Sequence, residues 1–146
     1  MPLPLALTLG EPAGIGPDIA LTPWSRRAEL RLPPFYILAD PLCLERRAKQ
    51  LGLDVALESV TPATAAAAFP RALPVVPLGL PATAEPGRPD GTSAAAAIAS
   101  IDRAVADVLG GKASAVITNP VAKSVLYKAG FTDPGHTEYL ARLSFQ

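Results

Sequence analysis

An apolar run with no charge, Leu3 to Leu9, ends in three glycines within seven residues, Gly10, Gly14 and Gly16, and Pro17 then opens a helix. A strand that does not alternate with polar residues must be covered on both faces, which demands helices above and below a sheet. The same unit recurs. Phe35 to Ala39 reads as a second strand, Asp40 as the N-cap of a helix over Pro41 to Leu51, Gly52 as its stop, and Asp54 to Val60 as a third strand. Strand, helix, strand, helix, strand with short joints predicts an α/β protein whose sheet is mostly parallel.

The remainder extends the pattern. The first helix is expected to end near Pro23 and Trp24, and Thr61 to Phe69 is an alanine-rich stretch that reads as a poorly ordered helix or a surface excursion. Leu73 to Pro77 is a strand whose prolines push it toward a sheet edge. Leu78 to Gly91 is turn-forming throughout and is the expected flexible flap. A long helix over Ser93 to Leu109 carries apolar residues at Ile98, Ile101, Val105 and Val108, which predicts Asp102, Arg103 and Asp107 on its solvated face. Ala115 to Ile117 is a last short strand, and a helix with Lys123 in its first turn follows and stops at Gly130.

Composition narrows the function. Thirteen basic and thirteen acidic side chains cancel, without a basic run, so neither a nucleic acid nor an anionic membrane surface is indicated as a partner. The N-terminus lacks a basic region and is broken by Pro2 and Pro4, and the alanine run at 94–97 is too short to span a bilayer, so the expected compartment is the cytoplasm. The single cysteine, Cys43, lies in an amphipathic helical pattern and reads as a small buried hydrophobe. One histidine, one cysteine and scattered carboxylates complete no metal site, and no nucleophile elbow is present.

Two turns carry the candidate chemistry. Gly10-Glu11-Pro12-Ala13-Gly14-Ile15-Gly16-Pro17-Asp18 joins a strand to a helix; its backbone N–H groups can face an anion, or its glycines can simply let strand and helix pack closely. It lacks the Gly-Lys-Ser/Thr of a phosphate loop and the third glycine of a dinucleotide turn. In the second, Pro134 and Gly135 form a fixed turn expected to present His136 outward, beside Thr137 and Glu138. Thr137 reads equally as an N-cap and Glu138 as a partner of the helix dipole. Thr118 and Asn119, at the carboxyl end of the last strand, are expected to line the same cleft. Lys123 reads first as a solvated charge and second as a partner for phosphate or carboxylate.

Leu9-Gly10-Glu11-Pro12-Ala13-Gly14-Ile15-Gly16-Pro17-Asp18 resembles the N-terminal signature of the 4-hydroxythreonine-4-phosphate dehydrogenases of pyridoxal phosphate biosynthesis. Thr118-Asn119-Pro120-Val121-Ala122-Lys123, then Ala129-Gly130, then Gly135-His136-Thr137-Glu138-Tyr139-Leu140-Ala141 is similar to their second signature. The resemblance implies an isocitrate/isopropylmalate dehydrogenase-like fold of two domains, a homodimer with the active site in the cleft, and substrate binding by His136 and Thr137; Gly10, Glu11, Gly14, Gly16, Thr118, Asn119 and Lys123 are the residues expected to line that cleft. It implies oxidation of a phosphorylated hydroxy amino acid by NAD or NADP with a divalent metal (Zn, Mg or Co), then loss of carbon dioxide from a 3-keto acid. The alternatives are a dehydrogenase of a phosphorylated sugar acid such as threonate or erythronate phosphate, or a non-catalytic ligand-binding remnant. The sequence departs from the family in ending at Gln146, so residues 1–146 are expected to be the N-terminal part of a two-domain enzyme. The metal ligands are then expected beyond residue 146, catalysis by these residues alone is not expected, and an uncovered apolar patch on the first strand and helices should favour self-association.

Overall fold

A computed structural model describes residues 2–144. Gln146, where the sequence departs from the family's length, lies outside the described residues. Five strands, β1 (Leu5–Thr8), β2 (Phe35–Ala39), β3 (Leu57–Ser59), β4 (Leu73–Pro77) and β5 (Val116–Ile117), form one sheet in the order β3-β4-β2-β1-β5. Every pairing is parallel. The helices are α1 (Gly16–Ser25), α2 (Pro41–Leu51), α3 (Pro62–Ala68), α4 (Ser93–Leu109), α5 (Lys123–Lys128) and α6 (His136–Ser144).

The pleat sends alternate side chains to two cores. Leu7, Leu9, Ile37, Ala39, Leu73 and Val75 pack with Leu21 and Trp24 of α1 and Cys43 and Leu44 of α2. Ala6, Tyr36, Leu38 and Val76 point the other way, onto Ala65 of α3 and Ala104 of α4. Leu38 and Ile37 are both fully buried, which is why the central strands read as unbroken apolar runs. Local chemistry sets α2. The Asp40 side chain accepts from the Leu42 N–H at 3.1 Å, and Gly52 closes the helix in the left-handed conformation at φ 68°.

Four expectations need correction. β4 is internal, lying between β3 and β2. Leu73 N–H donates to Ala56 O and Val75 O accepts from Val60 N–H, so odd-numbered residues of β4 face β3 and even ones face β2. Pro74 therefore turns its missing N–H toward β2 before that ladder begins at Val75, and Pro77 faces β3 beyond its last pair at Ser59. Neither proline costs a ladder bond.

Asp107 is buried, at 2% exposure, because α4 lays its small residues Ala96, Ser100 and Ala104 on the sheet. Its carboxylate accepts from Tyr36 OH at 2.7 Å and from Arg103 Nε at 3.1 Å. The 78–91 connection is not a free flap. Ala82 N–H donates to the Asp40 carboxylate at 3.0 Å, Gly87 N–H to Ala13 O at 2.7 Å, and Ala82 is fully buried. The stretch after Thr61 is an ordered helix, α3, with Ala65 buried beneath it. As for the expected apolar patch, β1 has a neighbour on each side. One face of its outer end stays open as a groove of about 230 Å³ lined by Leu7, Ile19, Phe35 and Ile117 among others. Among the described residues no helix is long and apolar enough to cross a membrane.

Candidate functional site

β1 and β5 are parallel neighbours, so the turns that follow them leave the same edge of the sheet side by side. They interlock. Glu11 N–H donates to Pro120 O at 2.8 Å, Asn119 N–H to Thr8 Oγ1 at 3.0 Å, and Asn119 Nδ2 to Gly16 O at 3.1 Å. The two signature segments, more than a hundred residues apart in the chain, are thus one structural unit.

The glycines of the first turn serve this close approach. A β-carbon on Gly16 would stand 1.9 Å from Leu9 O, and one on Gly10, whose φ is +69°, would stand 2.5 Å from Pro120 O. Three of the N–H groups expected to face an anion, those of Glu11, Ala13 and Gly14, are engaged internally. Ala13 N–H donates to Glu11 Oε1 at 3.0 Å, Gly14 N–H to Glu11 O at 3.0 Å, and Glu11 itself is 6% exposed. The glycines thus serve close packing, and the Glu11 carboxylate takes the Ala13 N–H. Glu11 Oε2 is buried without a partner. Asn119, expected in the cleft wall, is 3% exposed and holds the Gly16 carbonyl. Thr118, also expected in the cleft wall, is exposed.

Sequence reasoning missed Arg47. It lies on the buried face of α2 with Cys43, Leu44 and Ala48, and its guanidinium donates to Gly14 O at 2.7 Å, to Pro12 O at 2.9 Å and to Asp18. A cation in register with an apolar helical stripe was the available signal. Ser100 was missed too. It accepts from Leu9 N–H at 2.9 Å and donates to Leu38 O at 2.7 Å, tying α4 to the ends of β1 and β2. Cys43 is buried beneath the same turn, and burial pushes its thiol up.

The second candidate turn begins α6 at His136, so Thr137 is in the first helical turn rather than at the cap, exposed beside Glu138. Tyr139 fixes the helix to α4: it is buried, stacks edge-on with Phe131 at 5.0 Å, and its hydroxyl donates to Asp102. The imidazole is not simply presented to solvent. His136 is half-buried, and its Nε2 lies without a partner against a closed cavity of about 10 Å³, lined by Ile101, Leu126, Phe131 and Tyr139 among others. That space is at the lower limit for a water molecule. Burial, and then the nearby Lys123 ammonium, hold its pKa below the ordinary 6.5, which keeps the ring neutral at pH 7. Lys123 is the first residue of α5, as expected, and is exposed. The glycine-rich turn and the His136 turn are therefore joined through residues 120–123, with Pro120 touching the first and Lys123 lying along the second.

Among the described residues no three His, Cys, Asp or Glu side chains gather to hold a metal ion. The residues present do not fit the divalent metal that the resemblance implies.

Comparison with known proteins matches residues 31–146 to the family described as Pyridoxal phosphate biosynthetic protein PdxA. A 4-hydroxythreonine-4-phosphate dehydrogenase of Bradyrhizobium diazoefficiens is 60% identical over 149 residues, covering 97% of this chain and 43% of its own length. Crystal structures of 4-hydroxythreonine-4-phosphate dehydrogenases superpose on it. One from Burkholderia phymatum does so with TM-score 0.87 at 27% identity, covering 98% of this chain and 44% of that one. One from Klebsiella pneumoniae does so with TM-score 0.81 at 32% identity, covering 97% and 44%. The chain spans about two fifths of the length of the curated relatives it matches. With 116 of its 146 residues inside the family match and both signature segments packed against each other, the chain belongs to the pyridoxal phosphate biosynthetic protein PdxA family.

Proposed function

We propose that the complete protein carrying this chain is a cytoplasmic, homodimeric 4-hydroxythreonine-4-phosphate dehydrogenase of pyridoxal phosphate biosynthesis. It oxidises the phosphorylated hydroxy amino acid with NAD or NADP and a divalent metal, and the resulting 3-keto acid loses carbon dioxide. The observation that carries this reading is the 60% identity to the Bradyrhizobium enzyme across 97% of the chain. The interlocking of the Gly10–Gly16 and Thr118–Pro120 turns supports it, since it brings these two segments together at the carboxyl edge of the sheet.

A divalent metal would be held by groups outside these residues, and a bound nicotinamide would supply the hydride acceptor. This chain contributes the binding wall. His136, neutral at pH 7, offers an imidazole nitrogen as a hydrogen-bond partner, and Thr137 offers a hydroxyl. Gly10, Glu11, Gly14, Gly16 and Asn119 form the interlocked turns at the ends of β1 and β5, and Thr118 and Lys123 stand exposed.

The test is metal-dependent reduction of NAD and NADP by the product of the full open reading frame, with phosphohydroxythreonine and with phosphothreonate. Turnover of the first and not the second supports the assignment. Turnover of the second alone moves it to the sugar acids, and turnover of neither defeats it.

A further inference from the structure

A phosphorylated substrate brings close to two negative charges, and the candidate wall needs a cation to meet them. Arg47 is committed to the carbonyls of Pro12 and Gly14, and Arg142 to Asp133 at 2.7 Å. Lys123 is different. Its side chain runs alongside the turn that opens α6, where a β-carbon on Gly135 would lie 3.8 Å from both its Cε and its Nζ. The same point lies 3.4 Å from Glu138 Oε2, yet among the described residues Lys123 makes no ion pair within 4.0 Å. An exposed ammonium on a flexible stem, held beside a substrate-facing turn and unspent, is a mobile point charge suited to phosphate.

We propose that Lys123 is the phosphate-binding cation of this site and the residue that selects phosphorylated over unphosphorylated acids at the Gly135–Thr137 turn. The inference rests on the reading above that His136 and Thr137 face a phosphorylated substrate. Three features of the geometry support it. Lys123 sits on the segment that joins the two turns, so an anion on its ammonium lies beside the Gly135 turn, next to the exposed Thr137. Gly135 leaves the space over the turn clear, since the nearest atoms to a β-carbon there are the far ends of Glu138 and Lys123. Burial first and the Lys123 ammonium second lower the His136 pKa, so an anion beside Lys123 offsets the smaller of the two effects. The groups around the imidazole that bear on this are Lys123, Glu138, Tyr127 and Tyr139.

Inorganic phosphate titrated calorimetrically into the product of the full open reading frame should bind saturably, whereas chloride at equal ionic strength should not. Lys123→Met should weaken phosphate binding about tenfold and Lys123→Arg should retain it within about threefold, as loss or retention of one charge-assisted contact requires. Lys123→Gln gives the same contrast if the Met variant does not fold. Saturable binding that is equal in wild type and Lys123→Met overturns the role of Lys123 and leaves the phosphate reading standing. No response in the wild type, or the same response to chloride, overturns both.

Discussion

Replacing Gly16 by alanine separates two effects that usually oppose each other. Alanine narrows the unfolded ensemble and, where the backbone accepts it, stabilises by roughly 0.4–1 kcal/mol. Gly16 opens α1 without a left-handed φ, so that gain is available in principle. The structure denies it. The new β-carbon would meet Leu9 O at 1.9 Å, whereas real contacts essentially never fall below 3.0 Å, so main chain must move by about 1 Å. The obstructing atom is a carbonyl next to β1, with the Leu9 N–H held by Ser100, and cannot swing aside as a side chain would. Overpacking that side chains absorb costs about 1–3 kcal/mol, so Gly16→Ala should cost about 3 kcal/mol, net of the entropic gain. Gly14→Ala is the control. Its β-carbon would meet Glu11 at ordinary contact, 3.4 Å, and the variant should lie within about 1 kcal/mol of wild type. In thermal unfolding followed by circular dichroism, the first should lower the midpoint by about 6–12 °C and the second should hardly move it. If Gly16→Ala melts within about 2 °C of wild type, the claim that this glycine exists for close approach is wrong.

Tyr36→Phe should cost about 1–3 kcal/mol in urea titration, because the Asp107 carboxylate, 2% exposed, keeps only Arg103 as a partner. Arg47→Met should cost about 3–5 kcal/mol by the same measurement, since the Asp18 carboxylate and the Pro12 and Gly14 carbonyls lose their donor; an unchanged midpoint would show that the turn holds itself. Stability should also fall with acid through the histidine range. The folded imidazole has a depressed pKa, so below about pH 6.5 the unfolded chain binds the extra proton and is favoured; as pH rises through that window stability is regained. His136→Asn should remove this component of the urea midpoint measured from about pH 5.5 to 7.5.

Where structure follows from near neighbours, the sequence announced it. Phe35–Ala39 and Pro41–Leu51, with the Asp40 cap and the Gly52 stop, appear at the expected residues because cap, strand run and left-handed glycine act within a few positions of each other. What depends on a distant partner was hidden. Pro74 and Pro77 looked incompatible with an internal strand until the register showed each missing N–H falling outside a ladder. Asp107 looked solvated because the large apolar residues of α4 suggested one buried stripe, whereas alanines and Ser100 define the face that meets the sheet and Tyr36 supplies the partner. The glycine-rich turn was visible, but its two explanations differ only in what its N–H groups and missing β-carbons meet, and those contacts come from Pro120, Leu9 and the Glu11 side chain. The inward turn of His136 depends on Phe131 and on Tyr139 packing against α4, neither of which local spacing reveals.

The wiring of the sheet has a consequence for synthesis on the ribosome. β1 emerges early and can zip to β2, but its other edge is covered only by Val116 and Ile117, and β3 can join only after β4 has slotted in beside β2. Between the appearance of Ala39 and that of Val116 the nascent polypeptide therefore carries a hydrophobic strand with one open side. At typical elongation rates that interval lasts on the order of ten seconds, long enough for trigger-type chaperones or a neighbouring polysome product to reach it first.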